Sequence, residues 1–184
     1  MTIAIYPGEA LKALENGRIS GYLVVFGSPA APDLTGDYFT PETDFGAMRT
    51  SPVWLNHRLP LETKSGATVV EKRQIGEAQL TIDDHGVLVD AVLYEAEKYA
   101  DLLARMGWSS GTAPHLVDRE PVKTAWRITR WPLGLDASLT PTPAEPRTLR
   151  RAVRNIDANL EALTEAAEAV SDAGRRRIVT VFWR

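Results

Sequence analysis

The chain has 184 residues, a formal net charge of −3 and no cysteine. Its length fits one domain with a small appendage, and its contents of 44% hydrophobic and 24% charged residues are ordinary for a globular protein. The charge argues against nucleic acid as a partner, because nucleic-acid-binding proteins usually present a basic face, and the lack of cysteine excludes disulfides, thiolate metal sites and cysteine nucleophiles.

Neither a membrane partner nor secretion is expected. No apolar run approaches the roughly 20 residues that a membrane-spanning helix needs. Residues 1–17 lack the basic start and the apolar core of a secretory signal. The absence of cysteine is compatible with a reducing cytoplasm.

Short runs rich in β-branched and aromatic residues alternate with turn signals over the first half of the chain. Residues 18–28 (RISGYLVVFGS) predict a strand, and the Pro-, Gly- and Asp-rich residues 28–45 predict a loop. A four-residue strand, Val53 to Asn56, is expected between two prolines. Residues 64–96 contain three strand-like runs, and the DDHG sequence at 83–86 is placed as a hairpin turn.

The spacing of the apolar residues changes at Glu95. From there to Met106 they recur at helical spacing. Gly107 stands where a helix C-cap belongs, so the GWSSG stretch at 107–111 is expected to follow a helix and begin a strand. Residues 124–143 predict two more strands. Six or seven short strands with few helices indicate a mainly β (α+β) fold, as a small barrel or sandwich.

The pattern changes again after Pro146. Apolar residues from Leu149 to Val170 recur in steps of four and three, which predicts an amphipathic helix from about Thr148 to Gly174. Such a narrow stripe packs on the protein's own barrel or pairs with the same helix of a second copy in a homodimer. The predicted division is therefore a β domain over residues 1–146, followed by a C-terminal helix and a short apolar tail over residues 147–184.

Three histidines are the candidate bases or ligands. His57 follows a short strand where it leaves for a loop, which is a common position for a catalytic base. His85 lies in the DDHG turn, and His115 follows the GWSSG stretch on an expected strand. A structural role remains the more common one for each histidine taken alone. No two histidines have the spacing of metal ligands on a helix, so no metal and no cofactor is predicted.

Two further features could complete a nucleophilic site. Ser109 and Ser110 lie between glycines, where the backbone N–H groups of Ser110 and Gly111 could hold an oxyanion. Asp136 lies within an apolar strand, and a buried carboxylate is costly unless it is paired. Asp136 could orient a histidine base, or it could lie at a strand edge facing water.

In chain order, these segments resemble the prohead serine proteases of tailed bacteriophages, the capsid-maturation enzymes related to the herpesvirus assemblins. The matching segments follow a shared order over residues 17–146, and no single one of them is diagnostic. They are ISGYLVVFG, DLTGDYFTPETDF, PVWLNH, IGEAQ with the hairpin IDDHGVLVDAVL, GWSSG, and LGLDASLTPTPAEP.

The resemblance implies roles for particular residues. His57 matches the general base and Ser109 the nucleophile, since Ser109 takes the third place in Gly-x-Ser-x-Gly. Asp136 falls where the family usually has a glutamate as third member. Assemblins use a second histidine there, so His115 and His85 stay in reserve for that role.

The resemblance also implies the fold and the activity: a small antiparallel β-barrel flanked by helices, carrying a serine endopeptidase. Such an enzyme would cut the major capsid protein or its scaffold, and also itself, within a procapsid assembling in the bacterial host cytoplasm. The alternative is a catalytically inactive scaffolding or assembly protein of the phage head on the same fold. Arg58 after His57, and Trp108 and Ser110 around Ser109, depart from the family pattern and favour that alternative.

Overall fold

A computed structural model describes residues 12–13, 17–63 and 66–149 of the chain. Pro146–Thr148 forms one 3-10 turn that ends in extended backbone at Leu149, so the predicted C-terminal helix does not begin at Thr148. The rest of that helix, its apolar stripe and the tail lie outside the described residues. Among the residues described, no helix is long and apolar enough to cross a membrane.

The described residues form twelve β-strands and one α-helix, which makes the fold mainly β as the turn-rich sequence predicts. In chain order these are β1 (Lys12–Ala13), β2 (Arg18–Val25), β3 (Asp37–Tyr38), β4 (Thr50–Leu55), β5 (Leu61–Glu62), β6 (Thr68–Val69), β7 (Gly76–Ile82), β8 (Gly86–Leu93), α1 (Ala96–Leu103), β9 (Gly107–Gly111), β10 (Asp118–Val122), β11 (Ala125–Arg130) and β12 (Asp136–Thr140).

Seven of the strands form one sheet in the order β1-β2-β8-β7-β4-β12-β9. Strand β9 also lies against β2, so the sheet curls into a nearly closed barrel. The neighbouring strands pair antiparallel except β4 and β12, which run parallel. Two smaller sheets accompany it, β10-β11-β3 and β5-β6.

The β7–β8 hairpin forms where the DDHG sequence predicts it. One carboxylate oxygen of Asp83 accepts hydrogen bonds from the backbone N–H groups of His85, at 2.8 Å, and Gly86, at 3.0 Å. Gly86 is needed because a Cβ there would lie 2.0 Å from the Val24 carbonyl oxygen. The hairpin is thereby fixed against β2 and supplies the centre of the sheet.

Strand β4 differs from its predicted extent at both ends. It begins at Thr50 and includes Pro52, which the sequence places as a boundary. Pro52 is accommodated because the pairing of β4 with β12 begins only at Val53, so no ladder hydrogen bond to β12 is lost. The strand ends at Leu55, and Asn56 already belongs to the following turn.

The helix also ends earlier than predicted. Helix α1 is capped by Ala104, and Gly107 is the first residue of β9 rather than a helix cap. Gly107 is required for another reason: a Cβ there would lie 2.7 Å from the carbonyl oxygen of Thr148, where a later segment crosses the strand. The serines of GWSSG therefore lie within a strand.

The side chains of β12 point alternately into the barrel core and to the outer face of the sheet. Ala137 and Leu139 are wholly buried in the apolar core, which the sheet encloses together with Trp108 of β9. Successive side chains of a strand point to opposite faces, so Asp136 and Ser138 lie on the other face. The candidate site occupies that face.

Candidate active site

Three neighbouring strands bring the candidate residues together. Ser109 lies on β9, Asp136 begins β12, and His57 follows the last residue of β4. In the sheet, β12 lies between β4 and β9, and Ser138 is directly opposite Ser109 across the β12–β9 ladder. Residues that are distant along the chain thus share one edge of the barrel.

The three side chains form a continuous hydrogen-bonded chain. His57 Nε2 lies 3.0 Å from Ser109 Oγ, and His57 Nδ1 lies 3.1 Å from Asp136 Oδ2. The Asp136 side chain is 9% exposed and that of His57 29%, so the carboxylate is shielded while the imidazole remains accessible. With its proton on Nδ1, the imidazole donates to Asp136 and leaves Nε2 free to accept the serine hydroxyl proton.

The backbone around His57 has an unusual conformation. Asn56, His57 and Arg58 have φ angles of 45°, 53° and 64°, in the left-handed region that non-glycine residues rarely adopt. The Asn56 side chain fixes this turn by accepting a hydrogen bond from Thr140 Oγ1 and donating one to the Pro60 carbonyl oxygen, both at 2.8 Å. Strain of this kind persists only where the surroundings hold it, and it directs the imidazole towards β9.

Two more side chains hold the carboxylate. Ser138 Oγ donates to Asp136 Oδ1 and accepts from the backbone N–H of His57, at 3.1 Å in the latter case. The Arg58 guanidinium lies 3.8 Å from Asp136 Oδ2 and 4.5 Å from the centre of the Trp54 ring. Asp136 therefore has a donor at each oxygen, which offsets the cost of burying its charge.

Sequence reasoning missed Asn56 and Ser138 as parts of the site. Ser138 carries a usable signal, because it lies two residues after Asp136 in a strand and so shares its face. Asn56 carries a weaker signal: asparagine tolerates the left-handed conformation better than most residues.

Ser110 and Gly111, the predicted oxyanion residues, follow the nucleophile on β9. In the described part of the chain, β9 has a sheet partner on one side only, so alternate backbone N–H groups of the strand face away from β12. The hydroxyl of Ser110 is engaged elsewhere, since it accepts a hydrogen bond from Trp131 Nε1 at 2.9 Å. An oxyanion role for the two backbone N–H groups stays a prediction.

The two reserve histidines lie outside this hydrogen-bonded chain. His85 is exposed in the β7–β8 turn, where its ring packs edge-on against Tyr22 with a centroid distance of 6.5 Å. His115 lies exposed in the 3-10 turn Pro114–Leu116 rather than on a strand, so the strand predicted for it is wrong. Neither takes part in the contacts that join His57, Ser109 and Asp136.

A cavity of about 210 Å³ adjoins the nucleophile. Ser109 and Ser110 line it from β9, Leu23 and Val25 from β2, and Trp131 from the segment after β11. Within the described ranges, no group of three or more histidine, aspartate or glutamate residues could hold a metal ion. A hydroxyl, an imidazole and a carboxylate in this order are the groups that acyl transfer uses, and here they lie beside a cavity.

No family model, curated protein or solved structure matches the chain. The resemblance to the prohead proteases thus rests on the order of the sequence motifs. The candidate site rests on the distances among its side chains.

Proposed function

We propose that the chain is a serine endopeptidase that works through an acyl-enzyme. The observation that carries the proposal is the hydrogen-bonded chain from Ser109 Oγ through both ring nitrogens of His57 to Asp136. A serine hydroxyl is a weak nucleophile until a base takes its proton, and the base needs a partner that fixes its tautomer. Ser109 supplies the hydroxyl, His57 the base and Asp136 the partner. His57 lies within hydrogen-bonding distance of both of the others.

The reaction proceeds in two acyl transfers. Ser109 Oγ attacks the scissile carbonyl carbon as its proton passes to His57 Nε2, and Asp136 stabilises the resulting imidazolium. The imidazolium then gives the proton to the leaving amine, and the C–N bond breaks to leave an ester on Ser109. Water repeats the sequence on the ester, restores the serine hydroxyl and releases the acid. Of the two consecutive backbone N–H groups of Ser110 and Gly111, the one that faces away from β12 is proposed to hold the oxyanion.

The substrate class follows from the resemblance to the prohead proteases. We assign the chain a role in procapsid maturation, in which it cuts the major capsid protein or its scaffold, and itself, inside the bacterial host. The assemblin-like barrel and the C-terminal dimerisation helix belong to this same proposal. Asp136 is one methylene shorter than the usual glutamate, and its 3.1 Å contact with His57 supports the shorter side chain in the orienting role.

A fluorophosphonate probe tests the enzyme proposal directly, because it reacts only with an activated serine. We expect labelling of Ser109, located by mass spectrometry, and its loss in both Ser109→Ala and His57→Ala. Ser51→Ala is the control, since it removes a buried hydroxyl on β4 that donates to the Pro52 carbonyl oxygen, and it should keep the label. Absence of labelling in the folded protein would contradict the enzyme and favour the inactive assembly protein.

Co-expression with a candidate capsid precursor tests the substrate. The proposal predicts processed precursor with the wild type and full-length precursor with Ser109→Ala, compared by intact-mass measurement. If the precursor stays uncleaved while the fluorophosphonate labels Ser109, the result would support the proposed hydrolase activity and refute this substrate.

A further inference from the structure

The cavity beside Ser109 has mostly apolar walls. Leu23 and Val25 come from β2, and Phe39 and Trp131 come from the segments that follow β3 and β11. Phe39 and Trp131 pack edge to face, with ring centroids 5.4 Å apart. A cavity of about 210 Å³ is larger than the roughly 150 Å³ that accepts benzene in a protein core, so it has room for an aromatic side chain.

One wall of this cavity is held by the residue next to the nucleophile. Trp131 donates its indole N–H to Ser110 Oγ, and Ser110 and Ser109 are neighbours on β9. The pocket wall at Trp131 is therefore attached to the same strand, β9, that carries the Ser109 hydroxyl. A substrate carbonyl placed at Ser109 Oγ brings the side chain of an adjacent residue to the pocket.

The charges that line the cavity are negative. Asp33, Asp37 and Glu145 contribute to its wall, while no lysine or arginine among the residues that the structure describes does so. Each carboxylate is already engaged: Asp37 with Arg119, Glu145 with Arg147, and Asp33 with the backbone N–H groups of Thr35 and Asp37. Because these carboxylates already have partners, a substrate side chain of either charge would lose its hydration in the cavity without gaining an ion pair.

We infer that this cavity is a specificity pocket for a large apolar side chain, aromatic by preference, at the residue that flanks the scissile bond. The inference rests on the proposed function, which it deepens by naming the substrate residue. The pocket selects by burying apolar area against Leu23, Val25 and Trp131, and it rejects glutamate and aspartate.

Peptidyl phosphonates that differ only in the flanking side chain test the pocket on the wild-type protein. The probes carry phenylalanine, alanine, glutamate or lysine, and the rate at which each modifies Ser109 is divided by that of a small alkyl fluorophosphonate. Full burial of a phenylalanine side chain should speed modification about tenfold or more over alanine. Glutamate should be slower than alanine.

A cavity-filling variant provides the matched comparison. Ala144 lines the cavity, so Ala144→Phe should fill it and bring the phenylalanine-to-alanine ratio close to one. The neighbouring Leu34 is 76% exposed and does not line the cavity, so Leu34→Phe should leave the ratio unchanged. Equal rates of Ser109 modification by the phenylalanine and alanine probes, or a faster rate with the lysine probe, would overturn the inference about the pocket. Such a result would leave the proposed hydrolase activity intact.

A binding measurement separates the pocket from the chemistry. Ser109→Ala is titrated with N-acetylphenylalanine amide and with N-acetylalanine amide, followed by ligand-observed NMR. Binding of N-acetylphenylalanine amide without binding of N-acetylalanine amide would support the pocket, even if no probe labels Ser109. That binding should be lost when Ala144→Phe is added to Ser109→Ala. Absence of binding together with absence of labelling would refute both the pocket and the hydrolase.

Discussion

Ser138 is the residue in the site whose role is easiest to isolate. Its hydroxyl contacts both Asp136 and the backbone N–H of His57, yet it lies outside the path of the proton. It is wholly buried, so water does not replace it when it is removed. We therefore regard Ser138 as a positioning residue for the two groups that activate Ser109.

Ser138→Ala should slow fluorophosphonate labelling about tenfold or more, because hydrogen bonds to charged groups contribute roughly 1.5–3 kcal/mol. The labelling rate and the urea midpoint are measured on the same sample. Ser51→Ala is the control: Ser51 is also buried, but its hydroxyl contacts only the neighbouring Pro52 carbonyl oxygen. An equal loss of labelling in both variants would mean that Ser138 acts through stability alone.

For individual residues, the sequence predicts which side chains form the site better than it predicts their hydrogen-bond partners. His57, Ser109 and Asp136 can be chosen from motif order, and His57 lies within hydrogen-bonding distance of each of the other two. The bond between Ser110 and Trp131 could not be predicted, because 21 residues separate them and no local pattern joins them. Their partnership depends on how two strands meet in space.

Among the structural elements, the turn after β4 is the most strained. Arg58 has a φ angle of 64°, and the left-handed conformation costs roughly 1–2 kcal/mol for a residue with a Cβ. Replacing Arg58 removes its contact with Asp136, whereas the backbone strain is relieved only when the replacement is glycine. Two variants can separate the effects, because only glycine adopts the conformation freely.

Arg58→Gly should be more stable than Arg58→Ala by about 1 kcal/mol, since both lose the guanidinium and only alanine keeps the strained backbone. Urea unfolding followed by circular dichroism measures the difference. An alanine variant as stable as the glycine variant would show that the turn relaxes and stores no strain.

A second element-scale feature joins the segment before β7 to helix α1. Glu71 accepts hydrogen bonds from the side chains of Arg73 and Lys98, which lower its pKa to about 2. The ordinary value lies near 4.5. The stabilisation from this carboxylate is therefore complete above about pH 5 and is lost as the pH falls towards 2.

Glu71→Gln should lower the urea midpoint at pH 7, and the difference from wild type should narrow as the pH falls from 5 to 2. Glu62→Gln changes an exposed glutamate on β5 and should show little difference at any pH. A gap between wild type and Glu71→Gln that stays constant down to pH 2 would contradict the lowered pKa.

Element types follow from the sequence more closely than element ends. The hairpin β7–β8 forms where alternating apolar residues flank a turn sequence, and α1 forms where the helical period begins. The end of β4 is set instead by the left-handed turn at residues 56–58, which no propensity of His or Arg predicts. Strand β10 was not predicted at all, because its DREPV sequence lacks an apolar pattern.

Over the whole molecule, Trp108 is the largest side chain in the barrel core and has no exposed surface. Its indole N–H is buried without a hydrogen-bond partner in the described part of the chain. A buried unpaired donor costs about 1–3 kcal/mol, so part of the stability gained by burying the ring is offset.

Trp108→Ala should cost about 3–5 kcal/mol of unfolding free energy, as large-to-small core changes do. Trp108→Phe should cost less than half as much, because it keeps most of the apolar ring and removes the unpaired donor. Urea denaturation of both variants measures this, and equal losses would mean that the indole N–H is satisfied in solution.

The mainly β class could be predicted from short strands and frequent turns, which left a barrel and a sandwich as alternatives. The parallel pairing of β4 with β12 could not, because nothing in either segment specifies a partner about 80 residues away. The same pairing sets the distance between His57 and Asp136. The geometry of the site is thus a property of the complete sheet.

The place of β12 has a consequence for the newly made chain. Of the barrel strands that the structure describes, it is the last to be translated, yet it lies between β4 and β9 in the sheet. Until Asp136–Thr140 leaves the ribosome, His57 and Ser109 have no strand to hold them side by side. Under the proposed mechanism, a nascent chain of this sequence therefore cannot hydrolyse a substrate until β12 has been inserted into the sheet.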